Sequence, residues 1–566
     1  MKVAPKSPQV LGEEFDRYCA TAAEFWPRNT LPGGGATILV ELMTEDVRVS
    51  IRNLTVANAI RRFIPARIVV YTGVDEDWSE ILWTYYDKLG LERLARAYGA
   101  EDFIDIHDIV DARLGDEPPK DLRVAGRTIR GNVQSAIEPD VLANLVRATV
   151  ARILRVPRLT PEIEASAKYQ QICRRSEEFS HVYDALMAGL NPVAVVSSHV
   201  DYNHWGLAVE SALRFGVPAV HVQSTGGLKA YALFPETCVG EGSFRMHLTR
   251  QIAEFFEKHL WANRDVLRRS AELTAWRSKS NLGRPSWWRG GGVVSSVEFR
   301  TPQERQSIRM HAMDRLGFDR AKPVVAVYNH ATSDALNTNV EVFEDLGRWF
   351  EETAAFAADE PSVNWLFVDH PSQARYDVTG FFDQVQARHT DARHLAFLPS
   401  LELSKNVMWS LVDLGVTVRG STSAELPVYG IPAIQAGWSE WSGCGFTSVA
   451  RDVDDYWDLL RDAVSGLVSG RPLITEEQIE RARLWLWFYR SGGDVASHLV
   501  QHWEMGQNKE LFNALVVAMR QVESDGDAAL VSTQRMWSRR EPFLTRVDFA
   551  GGPEHLAEQL GAVGEW

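Results

Sequence analysis

The sequence has no run of about 18 or more apolar residues, which is the length that a membrane-spanning helix requires. Its first residues, Met1 to Lys6, are not followed by an apolar segment of the signal-peptide type. Cysteine is scarce as well, and the four cysteines lack the CxxC or Cys/His spacing of a metal site. We therefore expect a cytoplasmic protein with free thiols and no bound metal, in which any membrane contact is peripheral, at the inner membrane surface.

Positive charge is not in excess either. The formal net charge is −15, which repels the phosphates of nucleic acid, so we expect no nucleic-acid partner. A local exception is the basic segment Arg264 to Arg289, which also contains Trp276, Trp287 and Trp288. This segment is suited to contact with a membrane surface or an anionic acceptor, although a solvated linker is the simpler interpretation.

The 566 residues are too many for one compact core, and a content of 45% hydrophobic and 24% charged residues is typical of soluble globular proteins. The chain should therefore form two or three domains. Near its start, strand patterns at Thr37–Leu42 and Ala66–Tyr71 flank a helix pattern at Val56–Phe63. This alternation predicts a parallel, doubly wound α/β domain.

The segment Leu411–Ala436 predicts a strand, a turn, a short helix and a second strand. The strand is indicated by Val416–Val418. Thr422 and Glu425 have the spacing of a capping box, which would begin the helix. Gly430 would end it.

Such a turn is suited to bind a phosphate, because the first amides of a helix are unpaired and carry partial positive charge. The small residues Ser421 to Ala424 would form the seat, and a nucleotide is the expected ligand. The alternative is that these residues only cap a helix in an ordinary α/β domain.

Polar residues follow two other predicted strands. Trp365–Val368 leads into Asp369, His370, Pro371 and Ser372, and Val324–Tyr328 leads into the segment 329–334, which begins at Asn329. In open α/β sheets, ligands bind beyond the carboxyl ends of the strands. We therefore expect these strand ends and the turn after Val418 to form one ligand site.

The order of these motifs is similar to the nucleotide-binding half of bacterial capsule-type glycosyltransferases. The similarity rests on His-Pro-Ser at 370–372, Gly-Ser-Thr-Ser-x-Glu at 420–425 and Gly-Ile-Pro-Ala-Ile at 430–434. That group includes Kdo transferases and polysialyltransferases, which use CMP-activated sugars, and its relatives polymerise CDP-activated polyols. The resemblance implies the two-domain GT-B architecture. It also implies that the His of the His-Pro pair and the hydroxyls of the Ser/Thr turn hold the donor nucleotide.

Two charged residues beside the Ser/Thr turn are also expected to contribute to substrate binding. Arg419 would help to stabilise the departing phosphate, and Glu425 would hold the ribose or act only as a cap. The predicted substrate-binding set comprises Asn329, Thr332, Ser333, His370, Pro371, Ser372, Arg419, Gly420, Ser421, Thr422, Ser423 and Glu425. No DxD motif follows a strand, so neither a metal nor a cofactor other than the nucleotide-sugar substrate is expected.

The densest polar cluster of the first half, residues 198–204, follows a predicted strand at Val193–Ser197. Asp201, His204 and His199 are the candidates for activating the acceptor hydroxyl, because general-base catalysis needs such side chains. The alternative is that Asp201 or Asn203 caps a helix beginning near Trp205.

A short sequence pattern, the internal echo, occurs once in each half of the chain. Residues Phe215–Val220 and Tyr429–Ile434 share the order aromatic, Gly, β-branched, Pro, Ala, β-branched, and both lie between a predicted helix and a predicted strand. Two similarly wound Rossmann-like domains would explain the echo.

The sequence thus predicts an α/β, GT-B-like fold with two Rossmann-like domains, parallel sheets and a helical C-terminal tail. The expected boundaries are 1–310 for the acceptor-side domain, 311–475 for the nucleotide-sugar-binding domain and 476–566 for the tail. The expected function is transfer of a sugar, with a CMP-sugar donor favoured, to a surface glycan or glycolipid acceptor. A UDP-sugar epimerase of the same architecture and a non-catalytic sugar-binding scaffold are the alternatives.

Overall fold

The computed structural model describes residues 12–43, 47–73, 76–81, 88–115, 120–224, 227–265, 267, 301–334, 340–399, 402–501, 508–522 and 527–546. Nearly all of the basic segment 264–289 therefore lies outside the described residues. The chain divides into two compact units: unit 1 is Met1–Thr149, Ala165–Leu248 and Ser491–Gly551, and unit 2 is Val150–Glu164, Thr249–Arg490 and Gly552–Trp566. These units are interleaved along the chain and do not follow the expected boundaries at 310 and 475.

Unit 1 is built on a six-stranded sheet, and a separate two-stranded hairpin lies in the same part of the chain. The strands are β1 (Ala36–Glu41), β2 (Ala66–Thr72), β3 (Ala100–Asp105), β4 (Leu122–Val124), β5 (Arg127–Ile129), β6 (Ala194–Ser197), β7 (Ala219–Ser224) and β8 (Leu228–Leu233). The order in the sheet is β3-β2-β1-β6-β7-β8, and β4 pairs with β5. All neighbours in the sheet are parallel except β8, which pairs antiparallel with β7, so the expectation of an all-parallel sheet needs this one correction.

The helices whose residues belong wholly or mostly to unit 1 are Glu13–Asn29, Val47–Arg61, Glu76–Ile81, Lys88–Ala97, Ile106–Leu114, Pro139–Leu154, Ala167–Leu190, Leu207–Arg214, Asn508–Gln521 and Ala528–Arg539, with a π-helical turn at Tyr202–Gly206. Strands β1, β2, β6 and β7 are buried, and their apolar residues form one core with the first and last helices of this set. Phe512 packs against Phe15 and Tyr18, with ring centroids 5.2 and 5.5 Å apart. Residues 491–551 thus complete the core of unit 1.

Unit 2 contains a second six-stranded sheet. Its strands are β9 (Val324–Tyr328), β10 (Asn364–Val368), β11 (Leu395–Leu398), β12 (Leu414–Thr417), β13 (Ala433–Gln435) and β14 (Ser448–Val449). The order is β11-β10-β9-β12-β13-β14, and every pairing is parallel. Counted within each sheet, both units have the strand order 3-2-1-4-5-6, which is that of a Rossmann fold. The predicted pair of Rossmann-like domains is confirmed.

Alternation along the strands explains how the sheet of unit 2 is covered on both faces. Val325 and Val327 of β9 belong to one core, whereas Val324, Ala326 and Tyr328 belong to another. Side chains point alternately to the two faces of a strand, and a parallel sheet is buried on both. The helices and helical turns that belong wholly or mostly to this unit are Pro161–Glu164, Phe244–Phe255, Phe256–Leu260, Trp261–Asn263, Pro302–Leu316, Leu346–Ala358, Gln373–Tyr376, Phe381–Arg388, Lys405–Leu411, Thr422–Glu425, Leu426–Tyr429, Ser442–Cys444, Val453–Ser469, Glu476–Trp487 and Phe488–Gly492.

The internal echo occupies equivalent positions in the two sheets. Gly216 and Gly430 both lie in the left-handed region, with φ of +69° and +75°, just before the fifth strand of each sheet. The fourth and fifth strands pair in parallel through Val195 and Ala219 in unit 1, and through Gly415 and Ala433 in unit 2. The predicted origin of the echo in two similarly wound domains is therefore confirmed.

The part of residues 476–566 that the structure describes is mainly helical, as predicted. Among the described helices of the whole chain, none is both long enough and apolar enough to cross a membrane.

Candidate functional site

Three strands that lie side by side in unit 2, in the order β10-β9-β12, carry the predicted donor-binding residues at their carboxyl ends. His370 follows β10, Asn329 follows β9, and the turn Gly420–Ser423 follows β12. The carboxyl ends of parallel strands meet at one edge of the sheet, which is where open α/β sheets bind ligands. The structure therefore brings together the three sequence motifs on which the predicted nucleotide site depends.

Asn329 joins the ends of β9 and β10. Its Nδ2 donates to Asp369 Oδ1 over 2.9 Å, and its backbone N donates to Val368 O over 2.9 Å. Asn329 Oδ1 is buried and has no hydrogen-bond partner within the described structure. Burial raises the pKa of the Asp369 carboxyl to about 6, although its hydrogen bonds act in the opposite direction. A buried amide oxygen without a partner is an available acceptor for a ligand donor.

Thr332 and Ser333 use their side chains within the protein. Gln373 Nε2 donates to Thr332 Oγ1 over 2.9 Å, and Ser333 Oγ donates to Tyr376 O over 2.6 Å. Both hydroxyls therefore fix the short helix Gln373–Tyr376 against the loop that follows β9. In this arrangement they shape the site rather than pointing a free group at a ligand.

A hydrogen bond fixes the tautomer of His370. The backbone N of Ser372 donates to His370 Nδ1 over 3.2 Å, so the hydrogen of the neutral ring is on Nε2. Burial, with His330 nearby, lowers the pKa of His370 to about 4, and burial, with Arg419 nearby, lowers the pKa of His330 to about 4. At neutral pH His370 is therefore an uncharged donor through Nε2–H. Pro371 is exposed and Ser372 is half-buried.

The predicted capping box at Thr422 and Glu425 is wrong, because Thr422 is already the first residue of the helix. Ser421 is the residue before the helix Thr422–Glu425, and its side chain makes no capping hydrogen bond. The turn is closed instead by Gly420, whose N donates to Thr417 Oγ1 over 3.2 Å. A Cβ on Gly420 would lie only 2.8 Å from that hydroxyl, so a side chain is disfavoured at this position.

The hydroxyls of Thr422 and Ser423 have different surroundings. Ser423 Oγ donates to Gly420 O over 2.8 Å and accepts from Trp441 Nε1 over 3.1 Å. Thr422 Oγ1 is buried and has no partner in the described part of the chain. Ser423 thus holds the turn together, and Thr422 retains its full hydrogen-bonding capacity for a ligand.

Glu425 lies between two cations. Its Oε2 is 2.6 Å from Lys405 Nζ, and its Oε1 is 3.1 Å from Arg490 Nη2. Because the side chains of Glu425 and Arg490 are almost fully buried, this pairing compensates charges that would otherwise be costly. The role of Lys405 and Arg490 was not evident in the sequence, since both lie far from the motif and neither has a motif of its own.

Arg419 is also paired. Its Nη1 lies 3.3 Å from Glu341 Oε1, and both side chains are buried. The backbone O of Arg419 accepts from Ser439 Oγ over 3.1 Å. Arg419 thus adds no uncompensated positive charge to the turn, and its expected role at a departing phosphate stays a prediction.

In unit 1, the predicted catalytic cluster follows β6. Asp201 accepts from Arg245 in a bidentate arrangement, with Nε–Oδ1 of 2.6 Å and Nη2–Oδ2 of 2.5 Å. Asp201 is the residue before the π-helical turn but makes no capping bond there, and Asn203 Oδ1 accepts only from the next residue, so the alternative of helix capping is not supported. Tyr202 has φ of +64°, which is strained for an aromatic residue.

The two histidines of the cluster differ in exposure. His204 is 1% exposed and packs against the rings of Trp78 and Trp205, and burial holds the pKa of its ring well below the usual range. His199 is exposed and packs on Trp205, with ring centroids 4.9 Å apart. Of the three predicted catalytic residues, His199 is therefore the exposed one, whereas His204 and Asp201 are buried.

Glu41 holds Ser198, the first residue of this cluster, in place, and the sequence analysis did not predict this role. It ends β1, is fully buried, and accepts from Ser198 N over 3.0 Å and from Ser198 Oγ over 2.6 Å. Asn53 Nδ2 and the backbone N of Met43 donate to it as well. The ends of β1 and β6 are thereby held together. A carboxylate inside an otherwise apolar strand pattern was the available signal.

No protein-family model matches this sequence, and no curated protein matches it significantly. Among the described residues, no group of three His, Cys, Asp or Glu side chains is placed to hold a metal ion.

Several solved structures resemble the chain at a distance. The β-Kdo 2,4 transferase of KpsC from Thermosulfurimonas dismutans is 13% identical, with 52% of this chain and 79% of that chain covered and a TM-score of 0.29. UDP-GlcNAc 2-epimerase from Neisseria meningitidis, bound to UDP-GlcNAc, is 10% identical, with 80% and 99% covered and a TM-score of 0.22. HepE from Anabaena, in complex with UDP and glucose, is 9% identical, with 89% and 98% covered and a TM-score of 0.28. Similarities this distant do not assign an activity to the chain.

Proposed function

We propose that this protein is a GT-B-type glycosyltransferase that moves a sugar from a nucleotide-activated donor to a surface glycan or glycolipid acceptor. The observation that carries the proposal is the edge of the unit 2 sheet where β10, β9 and β12 end. His370 Nε2–H, Asn329 Oδ1 and Thr422 Oγ1 are there, and the last two are buried without partners within the described structure. Buried polar atoms without protein partners are available to bind a ligand, and here two of them lie at the ends of neighbouring strands.

The donor nucleotide would use these three groups in different ways. His370 and the Thr422 hydroxyl would donate to the phosphate, and would stabilise the charge that develops on it as the sugar leaves. Because the His370 ring is neutral above pH 4, its contribution is a hydrogen bond rather than a positive charge. Asn329 Oδ1 can only accept, so it would receive a hydrogen bond from the ribose or the base. A CMP-sugar is the favoured donor, and no metal or further cofactor is required.

Acceptor activation is assigned to unit 1. His199 is exposed at the end of β6, so it is the proposed general base for the acceptor hydroxyl. The Asp201–Arg245 pair and the strained Tyr202 would position this imidazole through the segment that joins them. A cytoplasmic location with peripheral contact at the inner membrane would give access to a glycolipid acceptor.

The decisive experiment is a thermal-shift series with CMP, CDP, UDP, GDP and ADP on the wild-type protein and on His370→Ala. A ligand that binds only the folded state raises the melting temperature. We expect a shift with CMP that is lost in His370→Ala and retained in the control His389→Ala, which changes a histidine at the end of another helix of unit 2.

Other results would redirect the assignment. Conversion of a UDP-sugar without an acceptor would identify an epimerase. The absence of a shift with all five nucleotides would favour a sugar-binding scaffold. Retention of the CMP shift in His370→Ala would show that the donor site is misplaced.

A further inference from the structure

Within the part of the chain that the structure describes, Arg152 is a buried cation without an anionic partner. It lies near the end of the helix Pro139–Leu154, in the part of that helix that belongs to unit 2, and it is 6% exposed. Its guanidinium carbon is 4.2 Å from the centre of the Tyr376 ring, and its Nη1 is buried and has no hydrogen-bond partner among the described residues. Throughout the described structure, no carboxylate lies within ion-pair distance of Arg152.

Two other arginines with buried side chains pair with acids. Arg419 pairs with Glu341, and Arg490 pairs with Glu425. An arginine side chain cannot lose its proton in a protein, so Arg152 remains charged. The interaction with an aromatic face offsets only a part of the cost of burying such a charge. This cation is therefore better explained by a ligand anion than by the fold.

The position of Arg152 connects it to the proposed donor site. Tyr376, on which it packs, belongs to the short helix that follows His-Pro-Ser, and its backbone O accepts from Ser333 Oγ. The neighbouring acid Asp377 does not compensate the charge. Its oxygens accept from Thr379 N, Thr379 Oγ1 and Phe381 N, all on the following turn.

We propose that Arg152 binds an oxyanion, a phosphate or a carboxylate, of the ligand that occupies the ends of β9 and β10. The inference rests on the proposed function and extends it, because it requires a donor that presents an anionic group to the loop before Tyr376. A guanidinium forms paired hydrogen bonds with either kind of oxyanion. The packing of Arg152 on the Tyr376 ring would hold the guanidinium group in a fixed orientation.

The test compares three ligands on the wild-type protein, Arg152→Met and Arg152→Lys by calorimetric titration. Cytidine has no anionic group, CMP adds a phosphate, and CMP-N-acetylneuraminate adds a carboxylate. We expect Arg152→Met to weaken the binding of at least one of the two anionic ligands roughly tenfold or more while the binding of cytidine is unaffected, since hydrogen bonds to charged groups are the strong ones. Arg152→Lys should retain a part of the affinity. The matched control is Arg158→Met, which removes a half-exposed arginine that pairs with Glu351.

The pattern of loss identifies the anion. Equal losses for CMP and CMP-N-acetylneuraminate mean that Arg152 binds the phosphate, whereas a loss confined to CMP-N-acetylneuraminate means that it binds the carboxylate. Unchanged affinities for all three ligands in Arg152→Met would overturn the inference.

A titration with inorganic phosphate separates this inference from the proposed function. If the wild-type protein binds no nucleotide, the proposed function fails. In that case, the inference that Arg152 binds an anion is supported only if phosphate raises the melting temperature of the wild-type protein and not that of Arg152→Met. If phosphate has the same effect on both proteins, the anion site fails as well.

Discussion

Two neighbouring hydroxyl side chains of the turn after β12 differ in their hydrogen bonds. Ser423 is tied to Gly420 O and Trp441 Nε1, whereas Thr422 Oγ1 is buried with no partner among the described residues. Removal of a hydroxyl that makes hydrogen bonds deprives its partners of those bonds. Removal of a hydroxyl without hydrogen bonds leaves no other group unsatisfied.

Thr422→Val and Ser423→Ala should therefore affect different properties. We expect Thr422→Val to leave the free energy of unfolding within about 0.5 kcal/mol of the wild-type value while nucleotide affinity falls. Ser423→Ala should lower the free energy of unfolding by about 1–3 kcal/mol, because the buried Trp441 Nε1 loses its acceptor and Gly420 O keeps only the bond from Ser423 N. Urea denaturation and calorimetric titration of both variants measure the two effects. A strong loss of stability in Thr422→Val would mean that its hydroxyl has a structural partner.

Glu210 makes the stability of unit 1 depend on pH. It is buried on the helix Leu207–Arg214, and burial raises the pKa of its carboxyl to about 7, although it accepts from Phe244 N over 2.9 Å. Between its unfolded pKa of about 4.5 and its folded pKa of about 7, the folded state binds a proton that the unfolded state has lost. Stability contributed by this group therefore falls as the pH rises through that interval.

Glu210→Gln should remove this dependence. We expect the variant to be more stable than the wild-type protein at pH 8 by about 3 kcal/mol, and to lose most of that advantage at pH 5. Denaturation curves at the two pH values provide the comparison. If the difference between the two proteins is the same at pH 5 and pH 8, Glu210 does not titrate in this interval.

At the scale of elements, the sequence predicted the strands that end in the candidate site and the topology around them. Strands such as β9 and β10 are continuous apolar runs because both faces are buried, and such runs are visible in a sequence. The first position of the helix after β12 was misjudged, because Ser and Thr at 421–423 are equally suited to precede a helix. The partners of Glu425 and the isolation of Arg152 depend on long-range packing, which no local pattern encodes.

Two glycines at equivalent positions define the turn before the fifth strand of each sheet. Gly216 and Gly430 have positive φ, and an added Cβ would meet nothing within 4 Å at Gly216 and only Ile479 Cδ1 at 3.6 Å at Gly430. The cost of a side chain there is therefore conformational rather than steric. We expect Gly216→Ala and Gly430→Ala each to lower the free energy of unfolding by about 1 kcal/mol.

Gly35→Ala is the matched control, because its added Cβ also meets nothing within 4 Å and its φ is not positive. That variant should be neutral or slightly stabilising, since alanine restricts the unfolded chain. Thermal denaturation of the three variants gives the comparison. Equal effects in all three would contradict the left-handed conformation of the two turns.

In the whole molecule, the chain returns to unit 1 at residue 491, after residues 249–490 of unit 2. Phe512 of this returning segment is 2% exposed and packs on Phe15 and Tyr18 of the first helix. Phe512→Ala should lower the free energy of unfolding of unit 1 by about 4 kcal/mol, because a buried aromatic side chain leaves a cavity.

Val517→Ala is the control for this prediction, because Val517 lies on the same helix and is 52% exposed. We expect it to change the stability by less than about 0.5 kcal/mol. Denaturation followed by tryptophan fluorescence measures both variants. Similar losses in the two would show that the returning helix contributes through its own helicity and not through packing on the first helix.

The interleaving of the chain also has a consequence for its synthesis. Residues 249–490 of unit 2 leave the ribosome before residues 491–551, which complete the core of unit 1. Translation proceeds at about 5–20 residues per second, so the apolar surfaces around Phe15 and Tyr18 stay uncovered while residues 249–490 are being made. Although unit 1 begins first, its core is completed only after residues 249–490 of unit 2 have been made, and its nascent form is the stage at which chaperones would find exposed apolar surface.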